Sequence, residues 1–406
     1  MATKTTNKIH PALWGLTISA FGIGTTELVI VGLLPTVAKD LDISISYTGL
    51  LVTLYALGVA IGGPILTALT GRISRKKLVL GLMLLFITGN ALAAVAPNFG
   101  VLVLGRILSG FAHGVFFAIG ATIAGSLVSP EKRGTAIAIM FAGLTIAMVT
   151  GVPLGTFVGQ HWGWRATFTG VAGLGLIGFL SNLLLLPATI PLSPAVAVKD
   201  QFKVLKNGPI LLVLSTTAFA FAGTFTTFTY LATLLEKITG FSPNSISLIL
   251  LVYGIAIALG NVIGGKAANK NPARALVIMF LLLTAVLLIL SVVITMKTAT
   301  VIVLFLMGIM AFCNVPALQL YIVQLAEKNL PGTENIASAL NIAAFNAGIA
   351  LGAFVGGKVV DSSLSVKATP WVGAIFGVIA CVLSFVSWKR ETKVLAKEEP
   401  MVTNAS

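Results

Sequence analysis

Twelve times along this sequence an apolar run of about twenty residues recurs with almost no charge in it, and no other feature restricts the fold so severely. The runs fall at roughly 12–34, 46–69, 77–96, 100–126, 134–158, 167–187, 209–235, 243–265, 275–296, 300–326, 335–359 and 370–388. A water-soluble core has no room for twelve such segments. Of the chain, 57% is hydrophobic and 9% charged, whereas soluble domains carry about 25% charged residues. Lipid is the solvent that suits this composition, and in lipid each backbone polar group must be satisfied within its own segment. The runs are continuous rather than alternating, which argues against a lipid-facing barrel. The expected fold class is an all-α integral membrane protein with twelve transmembrane helices.

Charge position predicts the topology. The first run follows the short polar segment Met1 to His10 and reaches about Leu34. It is too long for a signal-peptide core and is followed by no A-x-A-like site, so it reads as a first membrane helix. With both termini placed on the cytoplasmic side, inner segments hold nineteen Lys and Arg and outer segments six, with Arg106 inside a span. That bias predicts cytoplasmic termini. The longest inner loop, about 188–208, separates two sets of six helices. The expected organisation is an N-terminal bundle over 1–187, a cytoplasmic central loop over 188–208, a C-terminal bundle over 209–388 and a cytoplasmic tail over 389–406. The halves also resemble each other: the stretch from Tyr55 to Gly62, Y-A-L-G-V-A-I-G, recurs 198 residues later from Tyr253 to Gly260 as Y-G-I-A-I-A-L-G. Two repeated halves around a central site suit alternating access.

Several function classes are excluded. The formal net charge is +14, but the charges sit in short loops with few aromatic neighbours, so nucleic acid is not an expected partner. Cys313 and Cys381 both lie in apolar runs, without the spacing of a metal site or a disulfide framework. No P-loop, HExxH, GxSxG or paired acidic site is found, so neither an enzyme nor a cofactor is expected. A membrane scaffold or an embedded enzyme would need a soluble domain or a polar catalytic cluster. What remains is a protein driven by an ion gradient or by the gradient of its own cargo.

The informative residues are polar groups at membrane depth, where a charge costs about 2.5–3.5 kcal/mol even on insertion scales. Glu27 and Arg106 are charged and His113 is titratable, all in the first half. Burial opposes ionisation of a carboxylate and a nearby cation favours it. A carboxylate balanced between the two, such as Glu27, can exchange a proton as its surroundings change; the competing reading is a permanent ion pair that fixes packing. Arg106 and His113 are seven residues apart and share a helix face, with the small Gly110 between them. Arg106 could hold Glu27 or a neighbouring carbonyl. It stays charged and cannot carry protons itself. His113 is either a proton or substrate group or a hydrogen-bonded interior histidine.

Gly143, Gly151, Pro153 and Gly155 share one run, which suits backbone-to-backbone helix packing and a kink at Pro153. The second half has uncharged interior polar groups, Asn314, Gln319, Tyr321, Gln324, Asn341 and Asn346, and a dense aromatic stretch from Phe219 through Phe225 to Phe228. Phe225, Phe228, Tyr253 and the amides Asn314, Gln319, Asn341 and Asn346 are candidate cavity residues for an amphipathic organic ligand. Most of the aromatics are expected against lipid or neighbouring helices.

Together these residues resemble the Major Facilitator Superfamily, and within it the twelve-helix drug:proton antiporter group, near the arabinose-efflux-like and chloramphenicol-resistance-like permeases. The matching stretches are Gly24 to Pro35, Arg106 to Gly114, Gly151 to Gly155, Gly163 to Phe168 and Phe345 to Gly352. The resemblance implies a proton-coupled exporter of a small organic compound in a bacterial inner membrane. It implies no cofactor, the proton gradient as energy source, and a monomer whose partners are cargo, protons and the lipid bilayer. Arg106 maps onto the family's proton-coupling arginine, Glu27 onto its first-helix acid, and Gly143 to Gly155 onto its fifth-helix antiporter motif, which implies a gating role. One departure stands out: the family's Asp-Arg-x-Gly-Arg between helices two and three reads Gly71-Arg72-Ile73-Ser74-Arg75-Lys76 here. The basic residues of that loop, Arg72, Arg75 and Lys76, remain, but the acid-anchored latch does not carry over. A sugar or nucleoside exporter, or a uniporter, is the alternative.

Overall fold

A computed structural model describes residues 10–70, 72–129, 132–190, 198–268 and 271–403. Gly71 of the altered loop motif, Lys4, Lys8 and Lys270 of the cation count, and Pro191 and Pro194 of the central loop lie outside the described residues.

Among the described residues, twelve helices are long and apolar enough to cross a membrane. We label them α1 (Pro11–Asp40), α2 (Ile45–Leu66), α3 (Arg75–Ala94), α4 (Phe99–Ser126), α5 (Arg133–Trp162), α6 (Trp164–Leu185), α7 (Gly208–Phe228), α8 (Pro243–Ala268), α9 (Pro272–Val293), α10 (Lys297–Asn329), α11 (Glu334–Asp361) and α12 (Val366–Thr392). Local chemistry sets their starts. Ser44, Asn98, Asn207 and Asn271 accept a hydrogen bond from a first-turn amide, and Pro11, Pro209 and Pro272 occupy first-turn positions where a missing N–H costs nothing.

The helix ends differ from the sequence expectation in physically simple ways. Helix α1 runs through Pro35 to Asp40, because its neighbours cover the interrupted backbone and its polar last turn needs no apolar solvent. Arg75 and Lys76 are not loop residues: Ser74 is the N-cap, and both basic residues open α3. Helix α7 stops at Phe228, turns at Thr229–Tyr230 and resumes as Leu231–Leu234. The central loop contains a short helix, Val198–Leu205. The segment expected as a tail continues the last helix to Thr403.

The helices pack as two groups of six. In the first, α1 lies against α5 and α6, and α4 against α2 and α3; in the second, α7 lies against α11 and α12, and α10 against α8 and α9. The repeat seen in the sequence is also spatial. A methyl on Gly110 would lie 2.5 Å from the Tyr55 carbonyl, and one on Gly308 would lie 3.0 Å from the Tyr253 carbonyl. Both pairs join corresponding helices, 198 residues apart in the chain.

Across the halves, α2 lies along α11 and α8 lies against α5. Among the described residues, two side-chain hydrogen bonds join the halves at the face of the bundle away from the start of α1. Ser46 Oγ donates to Asp361 Oδ2 at 2.5 Å, and Ser247 Oγ donates to Gln160 Oε1 at 2.9 Å. The Tyr230 hydroxyl donates to Ala353 O at 2.8 Å and occupies a notch made by Gly49 on α2 and Gly356 and Gly357 on α11. Helix α8 meets Ala147–Gly151 and Val152–Trp162 of α5, with no comparable contact to Arg133–Ile146.

Candidate functional site

The polar centre of the first half is built around Arg106, which is 1% exposed. Its Nη1 donates to Thr26 O at 2.7 Å and to Thr26 Oγ1 at 3.3 Å, its Nη2 to Glu27 O at 3.5 Å, and its Nε to Leu51 O at 3.4 Å. Its guanidinium carbon sits 4.0 Å from the centre of the Tyr55 ring. Of the two partners the sequence allowed, Arg106 therefore takes backbone carbonyls. Helix carbonyls at membrane depth are already bonded within the helix, and a guanidinium can share them without breaking the ladder.

Glu27 stands on the same turn of α1, flanked by the buried residues Thr26 and Leu28, and is itself half-buried. Among the described residues no hydrogen-bond donor or ion-pair partner engages its carboxylate; the charge of Arg106 acts on it only through space. His113 is buried, and its Nδ1 lies 2.9 Å from the Tyr55 hydroxyl, with its ring 5.0 Å from that of Phe117. The seven-residue spacing thus brings Arg106 and His113 to one partner, Tyr55, which takes the cation on its face and the imidazole at its hydroxyl.

Helix α5 supplies the wall behind Glu27. Gly143, Gly151, Gly155 and Gly159 face α1, where a methyl would run into the Thr17 carbonyl, Thr25, Val29 and Leu33 respectively. Small residues of α1 reciprocate, Gly24 against Leu144 and Ala147, and Gly32 against Thr156. The expected kink at Pro153 takes the form of a widened π turn over Ala147–Gly151, directly before the proline. Such a turn makes room for a ring that would otherwise strike the carbonyl four residues back. At the same turn Met148 and Val149 meet Gly254 of α8, so the irregular part of α5 is also its contact with the other half.

In the second half the candidate aromatics of α7 and α8 pack inward against neighbouring helices. Phe225 and Phe228 are 1% and 3% exposed, and Tyr253 is 2%. Phe345, Phe221, Phe225, Phe228 and Tyr253 form a continuous chain of ring contacts, with centroids 4.5 to 6.2 Å apart. The Phe228 and Tyr253 rings stack at 5.0 Å, where the equivalent Tyr55 carries a guanidinium. Glu27 itself corresponds, 198 residues on, to Phe225. The two halves therefore share a frame and differ in chemistry.

The amides divide into two sets. Asn341 Nδ2 donates to Gln319 Oε1 at 2.9 Å, Asn341 Oδ1 accepts from Thr217 at 2.7 Å, and Gln319 donates to Ser338 Oγ. These two amides are committed to helix packing. Asn314 and Asn346 donate to carbonyls of their own helices, while their side-chain oxygens and the Tyr253 hydroxyl find no hydrogen-bond partner among the described residues. Tyr321 bonds Ser387 at 2.8 Å, and Gln324, expected inside, is exposed.

Of the loop motif, Arg72 is exposed, Arg75 is buried, and Lys76 Nζ donates to Leu186 O at 2.6 Å. That carbonyl ends α6, where a cation also offsets the helix dipole. Two groups of residues were not singled out by the sequence reading. Asn90 was missed, although an amide in an apolar run carries the same signal as Glu27. Arg165 and Asp40 were missed as partners: Arg165 Nη1 donates to Asp40 Oδ2 at 2.6 Å and Nη2 to Ala96 O at 2.9 Å, tying α1, α6 and the α3–α4 connection together.

Repeated helical halves that meet along α2–α11 and α5–α8 are the architecture of a secondary transporter. Comparison with known proteins gives the family. A model of the Major Facilitator Superfamily matches residues 16–334 and 237–403. The chain is 49% identical over 380 residues to YtbD of Bacillus subtilis (strain 168), named an uncharacterized MFS-type transporter, covering 94% of this chain and 95% of that protein. It is 37% identical over 388 residues to the inner membrane transport protein YdhP of Escherichia coli (strain K12), covering 96% and 98%. Its fold matches the crystal structure of a bacterial homolog of the human lysosomal transporter Spinster, in an inward-facing, unoccupied conformation. The TM-score is 0.74 at 16% identity, covering 95% of this chain and 98% of that one. The chain belongs to the Major Facilitator Superfamily, and it is a multi-pass membrane transporter of small molecules.

Proposed function

We propose that this transporter is a proton-driven exporter of a small amphipathic organic compound, with Glu27 as the group that takes up and releases the proton. The observation that carries this reading is the contrast at the centre of the first half: Arg106 is engaged with three carbonyls, a hydroxyl and the Tyr55 ring, while the Glu27 carboxylate is unengaged. A permanent ion pair would have used both. A carboxylate near a fixed cation, but not bonded to it, is able to change protonation as its access to water changes.

The second half suits the cargo. Its interior offers stacked rings, the unpartnered oxygens of Asn314 and Asn346, and the Tyr253 hydroxyl. With a free carboxylate in the other half, such a surface favours a neutral or cationic amphiphile over an anion. A sugar or nucleoside would draw on the amides, and the mutual engagement of Gln319 and Asn341 counts against that alternative.

The halves, 1–187 and 209–388, would rock about this centre, with the contact of Met148 and Val149 on α5 with Gly254 of α8 as a sliding surface. The cation count supports cytoplasmic termini. The Ser46–Asp361 and Ser247–Gln160 links then lie on the outer side. The kinship with YdhP supports a bacterial inner membrane, and a single chain carries both halves, so a monomer suffices. A thermal-shift screen of drugs, sugars and nucleosides identifies cargo through its stabilisation of the folded protein. Efflux of that cargo by everted vesicles, with proton release recorded on the purified protein, then tests the reading. Export without proton movement contradicts it.

A further inference from the structure

Arg106 reaches α1 partly through a hydroxyl whose orientation is set by a third helix. Thr26 Oγ1 donates to Asn90 Oδ1 on α3 at 2.6 Å and accepts from Arg106 Nη1 at 3.3 Å. Asn90 is itself anchored, since its Nδ2 donates to Phe86 O at 2.9 Å and to Ser109 Oγ at 3.2 Å. A threonine hydroxyl has one proton. With that proton on Asn90, Arg106 meets its lone pairs. Asn90 is 1% exposed, at a depth where an amide is a poor substitute for leucine unless its bonds matter.

We propose that Asn90 and Thr26 are positioning residues for the proton-carrying site: they keep the Arg106 guanidinium on the carbonyls of α1 and off the carboxylate of Glu27. This role rests on the reading of Glu27 as the proton carrier. The guanidinium donates to Thr26 O, Thr26 Oγ1, Glu27 O and Leu51 O, all neutral oxygens. Remove the hydroxyl, or free its proton to turn, and a further Arg106 donor loses its partner. Within the same turn of α1 the acceptor of highest charge is the Glu27 carboxylate. Arg106 would then close on it, and the exchangeable group would become the locked ion pair that the native arrangement avoids.

The consequence is measurable without knowing the cargo. Dicyclohexylcarbodiimide, an apolar reagent, modifies protonated carboxyls within membranes, and mass spectrometry locates the adduct. The wild-type protein in lipid is expected to be modified at Glu27. Thr26→Val, which keeps the side-chain shape, and Asn90→Val are expected to be modified about fivefold more slowly. Thr26→Ser, which keeps the hydroxyl, is expected to match the wild type. Thr26→Val combined with Arg106→Gln is expected to be modified at least as fast as the wild type, since the competing cation is gone. A loosened or misfolded variant exposes Glu27 and is modified faster, which is opposite in sign. Wild-type or faster modification in both valine variants overturns the positioning role alone. No modification of wild-type Glu27 overturns the proton-carrier reading and the positioning role with it, so the two failures are told apart.

Discussion

Arg106 holds α1 by the main-chain carbonyls of Thr26 and Glu27 and leaves the Glu27 carboxylate free, although the two charged side chains belong to the same few turns of the bundle. The planar fork of arginine makes this possible, because its donors serve three backbone carbonyls and a hydroxyl at once while its face rests on Tyr55. Arg106→Lys keeps the charge but offers one ammonium point to oxygens on two helices. Transport in that variant is expected to fall by about tenfold or more, with the protein still folded. Cargo efflux, normalised to folded protein in the membrane, checks it.

The α1–α5 seam makes a separate prediction about packing. A methyl on Gly143 would meet the Thr17 carbonyl, a backbone atom that cannot turn aside, whereas one on Gly170 would meet nothing within 4 Å. Gly143→Ala is expected to cost about 1–3 kcal/mol through overpacking, and Gly170→Ala close to nothing. Thermal unfolding in detergent, with both variants side by side, measures the difference.

How much of this was legible beforehand follows from what a sequence can encode locally. Twelve apolar runs, and the rarity of Glu27 and Arg106 within them, gave the spans and the polar centre, because lipid tolerates no other arrangement. The glycines of α5 were visible for the same reason. The partner of Arg106 was not visible, since a carbonyl is present at every residue and leaves no mark in the sequence. Nor was the break of α7 at Thr229–Tyr230, where neither glycine nor proline announces it. The aromatics near Phe225 were expected mostly against lipid or neighbouring helices because a buried ring and a lipid-facing ring look alike in an apolar run.

The links between halves away from the start of α1 make a third prediction. Ser46 and Asp361 belong to α2 and α11 and share a hydrogen bond at 2.5 Å. If the halves rock, that contact must open in each cycle. Ser46→Cys with Asp361→Cys, joined through mixed disulfides by a short bis-methanethiosulfonate, is expected to abolish transport, and reduction of those disulfides by a thiol to restore it. The native cysteines, Cys313 buried and Cys381 half-buried, serve as the control background. Unchanged transport in the cross-linked protein would mean that this contact stays closed throughout the cycle.

Everything functional here depends on the unengaged carboxylate of α1 trading a proton for cargo. The most direct measurement is proton release from purified protein on addition of a cargo identified by thermal shift, for the wild type and for Glu27→Gln. The account predicts release from the wild type and none from the variant, which should also lose uphill efflux while still binding cargo. Equal proton release from the two proteins, with efflux intact in the variant, would contradict it.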